Sequence, residues 1–233
     1  MTTFRTIIAK VLSLLRNISG TGYSLSHLRF FQDAKIGPIQ RDEALLLYAM
    51  VKTVDPKTIV ELGFYEGHSS INFLKAMSSD ARLFSYDITE ASRKLAMKIE
   101  DKRFKFVFKS QSEFEPSDVD NRLIDLVLFD AAHDFQLNVT TFQKLIGSLM
   151  ATALIVVHDT GAWYGNLKGL MTPQGHFSNE LASSAYIHQP GERAFVNWAK
   201  ETMKDFNQIH LHSTSKFRHG MTVFQKNDKP LAL

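Results

Sequence analysis

An apolar run, Thr58-Ile59-Val60-Glu61-Leu62, passes straight into Gly63-Phe64-Tyr65-Glu66-Gly67 and then into His68-Ser69-Ser70. Few architectures accommodate that order, which reads as a buried strand, a turn punctuated by glycines and the start of a helix. Glycines in such a turn let the backbone come close to a ligand without a Cβ in the way, and the helix start offers N–H groups that lack intrahelical partners. The segment therefore reads as a cradle for a nucleoside-bearing cofactor. A dinucleotide is poorly served, because the Gly-x-Gly-x-x-Gly pattern that suits a pyrophosphate has Tyr65 at its middle position, with the charge of Glu66 beside it. Glu61, near the carboxyl end of the strand, suits a ligand ammonium instead.

The rest of the chain repeats the same alternation. Strand-like runs at residues 58–62, 82–87, 104–108, 124–130 and 153–158 alternate with helical patterns over residues 69–77, 90–100 and 137–149. A helical pattern over residues 41–54, stopped by Asp55-Pro56, precedes them, and another over residues 193–204 follows. Residues 208–212 and 221–225 read as two antiparallel strands at one edge. This is the signature of an α/β protein with a mostly parallel sheet, in which ligands bind beyond the carboxyl ends of the strands. The residues at those ends are Glu61, Asp87, Asp130, His158 and Asp159.

At 233 residues the chain has room for one such domain with a sizeable core. Its 44% hydrophobic and 22% charged residues are ordinary for a globular protein, and a net charge of +3 scattered along the chain argues against a dedicated nucleic-acid surface. A small-molecule acceptor is the easier partner to defend. With no cysteine there is no disulfide framework, zinc–thiolate site or thiol nucleophile, and a cytoplasmic location is expected.

Residues 1–39 form an N-terminal extension ahead of the main domain, residues 40–233. Apolar residues recur with helical period from Phe4 to Ile18, but the stretch is too short and, with Arg5, Lys10 and Arg16, too charged to span a bilayer. Packing on its own domain or in a homo-oligomer is favoured over lying on a membrane surface. Residues 161–191, rich in glycine and carrying Trp163, Tyr164, Phe177 and Tyr186, read as a lid-like insert over the acceptor.

Over about residues 40–226 the chain resembles the class I S-adenosylmethionine-dependent methyltransferases. Val60 to Ser69 looks like that family's first motif and Ser85-Tyr86-Asp87 like its second. Asp125-Leu126-Val127-Leu128-Phe129-Asp130-Ala131-Ala132-His133 and Leu154-Ile155-Val156-Val157-His158-Asp159 resemble its fourth and fifth strand ends, and residues 217–224 resemble its closing hairpin. Within the family, Phe-Asp-x-x-His followed by a helix and then His-Asp is similar to the small-molecule O-methyltransferases, among them antibiotic-sugar and cephalosporin-tailoring enzymes.

The resemblance implies a Rossmann-like, seven-stranded sheet with an antiparallel C-terminal hairpin and helices on both faces. It also implies that S-adenosylmethionine is held by Glu61, Gly63, Phe64, Tyr65, Gly67 and Ser69 around its methionine part. Asp87 would take its ribose, Ser110 and Gln111 its adenine, and Asp130 would both contact the cofactor and take part in catalysis with His133. Gln111 stands where the family usually has an acidic residue.

Methyl transfer needs an oxygen nucleophile held in line with the sulfonium and relieved of its proton, so proximity supplies most of the effect and a general base the rest. His133, three positions past Asp130, is the candidate base, its ordinary pKa near 6.5 suiting neutral pH. Asp130, His158 and Asp159 are candidate ligands for a divalent ion, magnesium or manganese, that would orient the acceptor hydroxyl. The imidazole departs from the all-oxygen shell magnesium prefers and suits manganese, iron or zinc better, and His158 could instead be a packing residue. Two other readings stay open: a nicotinamide-dependent oxidoreductase, and a non-catalytic protein of the same fold that docks on a membrane or partner through its N-terminal helix.

Overall fold

The structure is a computed structural model that describes residues 39, 41–161, 191–212 and 220–226. The N-terminal helix, the lid-like insert and the 217–219 part of the closing hairpin lie outside the described residues. Helix α1 (Arg41–Val54) leads into strand β1 (Thr58–Leu62), helix α2 (His68–Ala76), strand β2 (Arg82–Asp87), helix α3 (Glu90–Ala96) and strand β3 (Phe104–Phe108). Two short 3₁₀ turns, Gln111–Glu113 and Pro116–Val119, precede strand β4 (Ile124–Phe129), helix α4 (Phe135–Leu145), a third 3₁₀ turn and strand β5 (Leu149–His158). Helix α5 (Gly191–Thr202), strand β6 (Phe206–Leu211) and strand β7 (Met221–Lys226) complete the described elements.

The strands form one seven-stranded sheet in the order β3-β2-β1-β4-β5-β7-β6. Strands β1 to β5 pair in parallel, and β7 enters antiparallel between β5 and β6, with His158 opposite Met221. The order reverses at β1, whose neighbours are β2 and β4, and this switch point opens the crevice in which such sheets bind ligands. Among the described residues no helix is long and apolar enough to cross a membrane.

Every residue of β1 is buried because the sheet is covered on both faces. Val60, Leu62, Phe84 and Tyr86 face one layer with Phe142 of α4 and Phe195 of α5, while Ile59, Leu83, Leu126 and Leu128 face the other with Leu47 of α1 and Phe73 of α2. Phe195 sits 5.2 Å from Phe129 and 5.7 Å from Phe142 between ring centroids, which fastens α5 to the sheet. Each such fully buried aromatic stabilises the fold by about 2–3 kcal/mol.

Several element boundaries differ from the sequence pattern, and three of the differences have a visible local reason. Helix α4 starts two residues before the expected 137 because the Asp134 side chain accepts the Leu137 N–H, making Asp134 the N-cap. Helix α3 ends at Ala96 rather than near residue 100, since the N–H groups of Lys98 and Ile99 fold back onto Leu95 and Ala96 in tight turns. Strand β5 begins at Leu149, before the apolar run, with an irregularity opposite Ile124 and Leu126.

Candidate functional site

The glycine turn is built by contacts within the protein. Gly63 has φ +103°, and a Cβ there would lie 2.0 Å from the carbonyl oxygen of Asp130; at Gly67, φ +76°, it would lie 2.6 Å from the Phe64 ring. Protein atoms alone, the end of β4 and the Phe64 ring, therefore exclude a Cβ at either glycine. Tyr65 also holds a positive φ of 47° and is 61% exposed, and its N–H donates to Asp87 Oδ2 at 2.9 Å. Phe64 is buried at 2% exposure and packs edge-on against Phe106. No side chain caps the first turn of α2, so its N-terminal end keeps its capacity for an anion.

Glu61 lies beneath this turn, fully buried, and accepts hydrogen bonds from the hydroxyls of Ser69, Ser70 and Ser85. Burial pushes its carboxyl up to about 7, against the pull of the three serine donors. Ser69, expected to meet a ligand carboxylate, is turned toward Glu61. The carboxylate therefore orders the start of α2 from below.

At the end of β2, Asp87 accepts from the backbone N–H groups of Tyr65 and Thr89 and from the Ser92 hydroxyl, tying the glycine turn to the start of α3. Ile88, next in the chain, is 68% exposed beside it. Past β3, Ser110 caps the 3₁₀ turn, and Gln111, 5% exposed, donates from Nε2 to Asn138 Oδ1 at 2.9 Å. Gln111 Oε1 is buried with no hydrogen-bond partner among the described residues, an acceptor awaiting a donor.

Beyond the end of β4 stands His133. Asp134 starts α4, so His133 is held on the last residue before a capped helix. Gly191 makes the next contact possible: a Cβ there would lie 2.3 Å from the His133 carbonyl oxygen, so only glycine lets the first turn of α5 sit against that backbone. The following residue, Glu192, then places Oε1 2.6 Å from His133 Nδ1, with Asp159 Oδ2 at 3.7 Å. Burial alone would lower the imidazole pKa, but the Glu192 carboxylate and the two aspartates outweigh it and raise it to about 9. The ordinary value assumed from sequence does not hold here. Glu192, only 3% exposed, is itself pushed up by burial.

Asp130, His158 and Asp159 do converge, one ligand atom of each lying within 4.8 Å of the others. The donor set is nevertheless occupied from within. His158, 2% exposed, has Nδ1 3.0 Å from Asp130 Oδ1 and 3.3 Å from Asp159 Oδ1, and Nε2 2.9 Å from Glu43 Oε2 of α1. Burial opposes charging this ring, yet the carboxylates of Asp130 and Asp159 raise its pKa well above the ordinary value. Asp159 is held at φ +58°, a left-handed conformation costly for a non-glycine residue.

Sequence reasoning missed Glu43, Glu192, Asn138 and the serines Ser70 and Ser85. Glu43 and Glu192 occupy the first turns of α1 and α5, where acidic residues are expected merely to complement the helix dipole. Nothing local distinguishes them.

Residues 60–160 match the family model described as a methyltransferase domain. No curated protein matches the chain in sequence. Among solved structures, the chain is similar to an O-methyltransferase from Bacillus cereus in complex with S-adenosylhomocysteine, at 16% identity and a TM-score of 0.62 over 83% of this chain and 84% of that one. It is similar to TomG from Streptomyces achromogenes, an O-methyltransferase involved in tomaymycin synthesis and solved with S-adenosylmethionine, at 16% identity and a TM-score of 0.57 over 82% of each chain. The S-adenosylhomocysteine-bound methyltransferase PaMTH1 from Podospora anserina matches at 18% identity and a TM-score of 0.55, over 82% of this chain and 80% of that one. At these identities the likeness establishes the fold.

Proposed function

We propose, from the match of residues 60–160 to a methyltransferase-domain model and the likeness of the fold to an S-adenosylhomocysteine-bound O-methyltransferase, that the chain is an S-adenosylmethionine-dependent methyltransferase that methylates a hydroxyl of a small molecule, with His133 as general base. The observation that supports the reading is that an uncapped helix start after β1 and the His133–Glu192 pair after β4 both lie at the carboxyl ends of adjacent parallel strands.

The residues present fit the cofactor. Gln111 Oε1, a buried acceptor without a partner, suits the amino group of an adenine. Asp87, at the end of β2, offers oxygens to a ribose, with exposed Tyr65 and Ile88 as apolar surfaces on either side. The start of α2 takes the amino-acid carboxylate, and Glu61 holds that start in place through Ser69 and Ser70. When bound, S-adenosylmethionine supplies an electrophilic methyl group on a sulfonium.

Glu192 orients the candidate base. Its bond from Nδ1–H fixes the tautomer of His133 and makes Nε2 the atom that takes the acceptor's proton. With a pKa of about 9 the imidazole is a strong base that is mostly protonated at neutral pH, so turnover rises with pH until the ring is neutral. Orientation of the hydroxyl supplies the larger share, on the order of 7 kcal/mol or more of barrier, and the base about a further 10²-fold. Transfer of a labelled methyl group to a panel of hydroxylated sugars and natural-product intermediates tests this. His133→Ala is expected to retain cofactor binding and lose turnover; full activity in that variant removes His133 as the base.

A further inference from the structure

The strand-end cluster of Asp130, His158 and Asp159 has the shape of a divalent-metal site, yet its imidazole has no nitrogen to spare. A histidine binds a metal through the lone pair of an unprotonated ring nitrogen. Here Nδ1 lies 3.0 Å from Asp130 Oδ1 and Nε2 lies 2.9 Å from Glu43 Oε2, both at hydrogen-bond distance from acceptors. A neutral ring satisfies only one of those contacts, because its second nitrogen would turn a lone pair toward a carboxylate oxygen. A ring with two N–H groups satisfies both. The surroundings favour that state: the side chain is 3% exposed, and Glu43 from α1, Asp130 from the end of β4 and Asp159 beside it all bear on one imidazole.

We propose that His158 is the resident cation of this cluster: its imidazolium, donating to Glu43 through Nε2 and to Asp130 through Nδ1, stands where a divalent ion would stand, and methyl transfer proceeds without a metal. The Asp130, His158 and Asp159 donor set therefore does not fit magnesium, which takes oxygen ligands, and manganese, which accepts an imidazole, would have to displace a proton held by buried carboxylates. Two consequences follow from the geometry. The charged ring ties α1 to the strand ends that carry Asp130, so it positions the floor of the crevice. The acceptor need not chelate, so a single hydroxyl within reach of His133 suffices and a vicinal pair of oxygens confers no advantage.

The inference uses the methyl-transfer reading only to place the cluster beside the cofactor turn, and its test reads the imidazole and the metal directly. In ¹⁵N-labelled protein at neutral pH, both ring nitrogens of His158 are expected to show the shifts of protonated nitrogen, with and without S-adenosylhomocysteine. The electron spin resonance signal of free Mn²⁺ is expected to be undiminished by an equimolar amount of the protein. His158→Asp, which supplies an oxygen donor and removes the internal cation, is expected to quench that signal. A neutral His158 ring, or stoichiometric Mn²⁺ binding by the unaltered chain, overturns the proposal. If His158→Asp does not fold, the two measurements on the unaltered protein still decide. Failure of S-adenosylhomocysteine to bind at all would count against the methyl-transfer reading and leave the imidazole result standing.

Discussion

Gly63→Ala separates a glycine kept for packing from one kept for a ligand. Two costs follow from the structure. At φ +103° an alanine meets the penalty of left-handed backbone, about 1–2 kcal/mol. Its Cβ would also lie 2.0 Å from Asp130 O, 2.6 Å from Asp130 C and 2.8 Å from Ala131 Cα, all backbone atoms that cannot swing aside as a side-chain tip can. Relieving that overlap means moving the glycine turn away from the end of β4, an overpacking cost of about 1–3 kcal/mol. Together these give a loss of about 2–5 kcal/mol of unfolding free energy, or about 10 °C in Tm for a domain of this size. The assay is urea unfolding without any ligand, with Gly147→Ala as control, since a Cβ at Gly147 meets nothing within 4 Å. The control is expected to change stability by less than about 1 kcal/mol. The shift of Asp130 should also weaken binding of S-adenosylhomocysteine in the Gly63 variant. Unchanged stability with only the cofactor affinity reduced would refute the packing argument and leave contact with the ligand as the reason for Gly63.

Further outcomes follow from the titrating groups and the orphaned acceptor. The pH profile of kcat/KM should rise to a plateau above about 9, because His133 must lose its proton to act as a base; Glu192→Gln, which removes the carboxylate that raises it, should move that limb to lower pH. Glu61 has a folded pKa of about 7 against an ordinary 4.5, so its contribution to stability is present below 4.5 and is lost as pH rises through 7. Glu61→Gln, followed by denaturant midpoints across that window, should flatten the fall. Asp159→Gly should relieve the left-handed strain at φ +58° by about 1 kcal/mol yet lower turnover, as read by calorimetric stability against methyl-transfer rate, because the carboxylate beside His133 and His158 is gone.

Much of this was legible from the order of residues. The alternation of apolar runs and helical patterns fixes a parallel sheet, and the strands named from it coincide with β1, β2 and β3 residue for residue. The acids that end β1, β2, β4 and β5 could be named because a sheet of this kind gathers its strand ends in one crevice. What escaped was the partner of each histidine. Glu192 meets His133 across 59 residues and Glu43 meets His158 across 115, and each sits in a helix's first turn, where a carboxylate has a sufficient local reason to be. Those two contacts bear on the chemistry: the carboxylates around His133 raise its pKa to about 9, and those around His158 raise its pKa well above the ordinary value. The glycines show the converse. Their positions were evident, but the atoms they avoid, Asp130 O and the Phe64 ring, belong to the folded packing and have no signature in the spacing.

The claim beneath all of this is that the crevice beside the glycine turn is an adenosyl-cofactor site whose buried acceptor is Gln111. Calorimetric titration with S-adenosylhomocysteine, repeated with NAD and with the Gln111→Leu variant, tests it most directly. Saturable stoichiometric binding of S-adenosylhomocysteine is predicted, with no heat from NAD and an affinity about tenfold weaker in the variant, the worth of one hydrogen bond to a buried acceptor. Equal affinity in Gln111→Leu, or binding of NAD in place of S-adenosylhomocysteine, would contradict it.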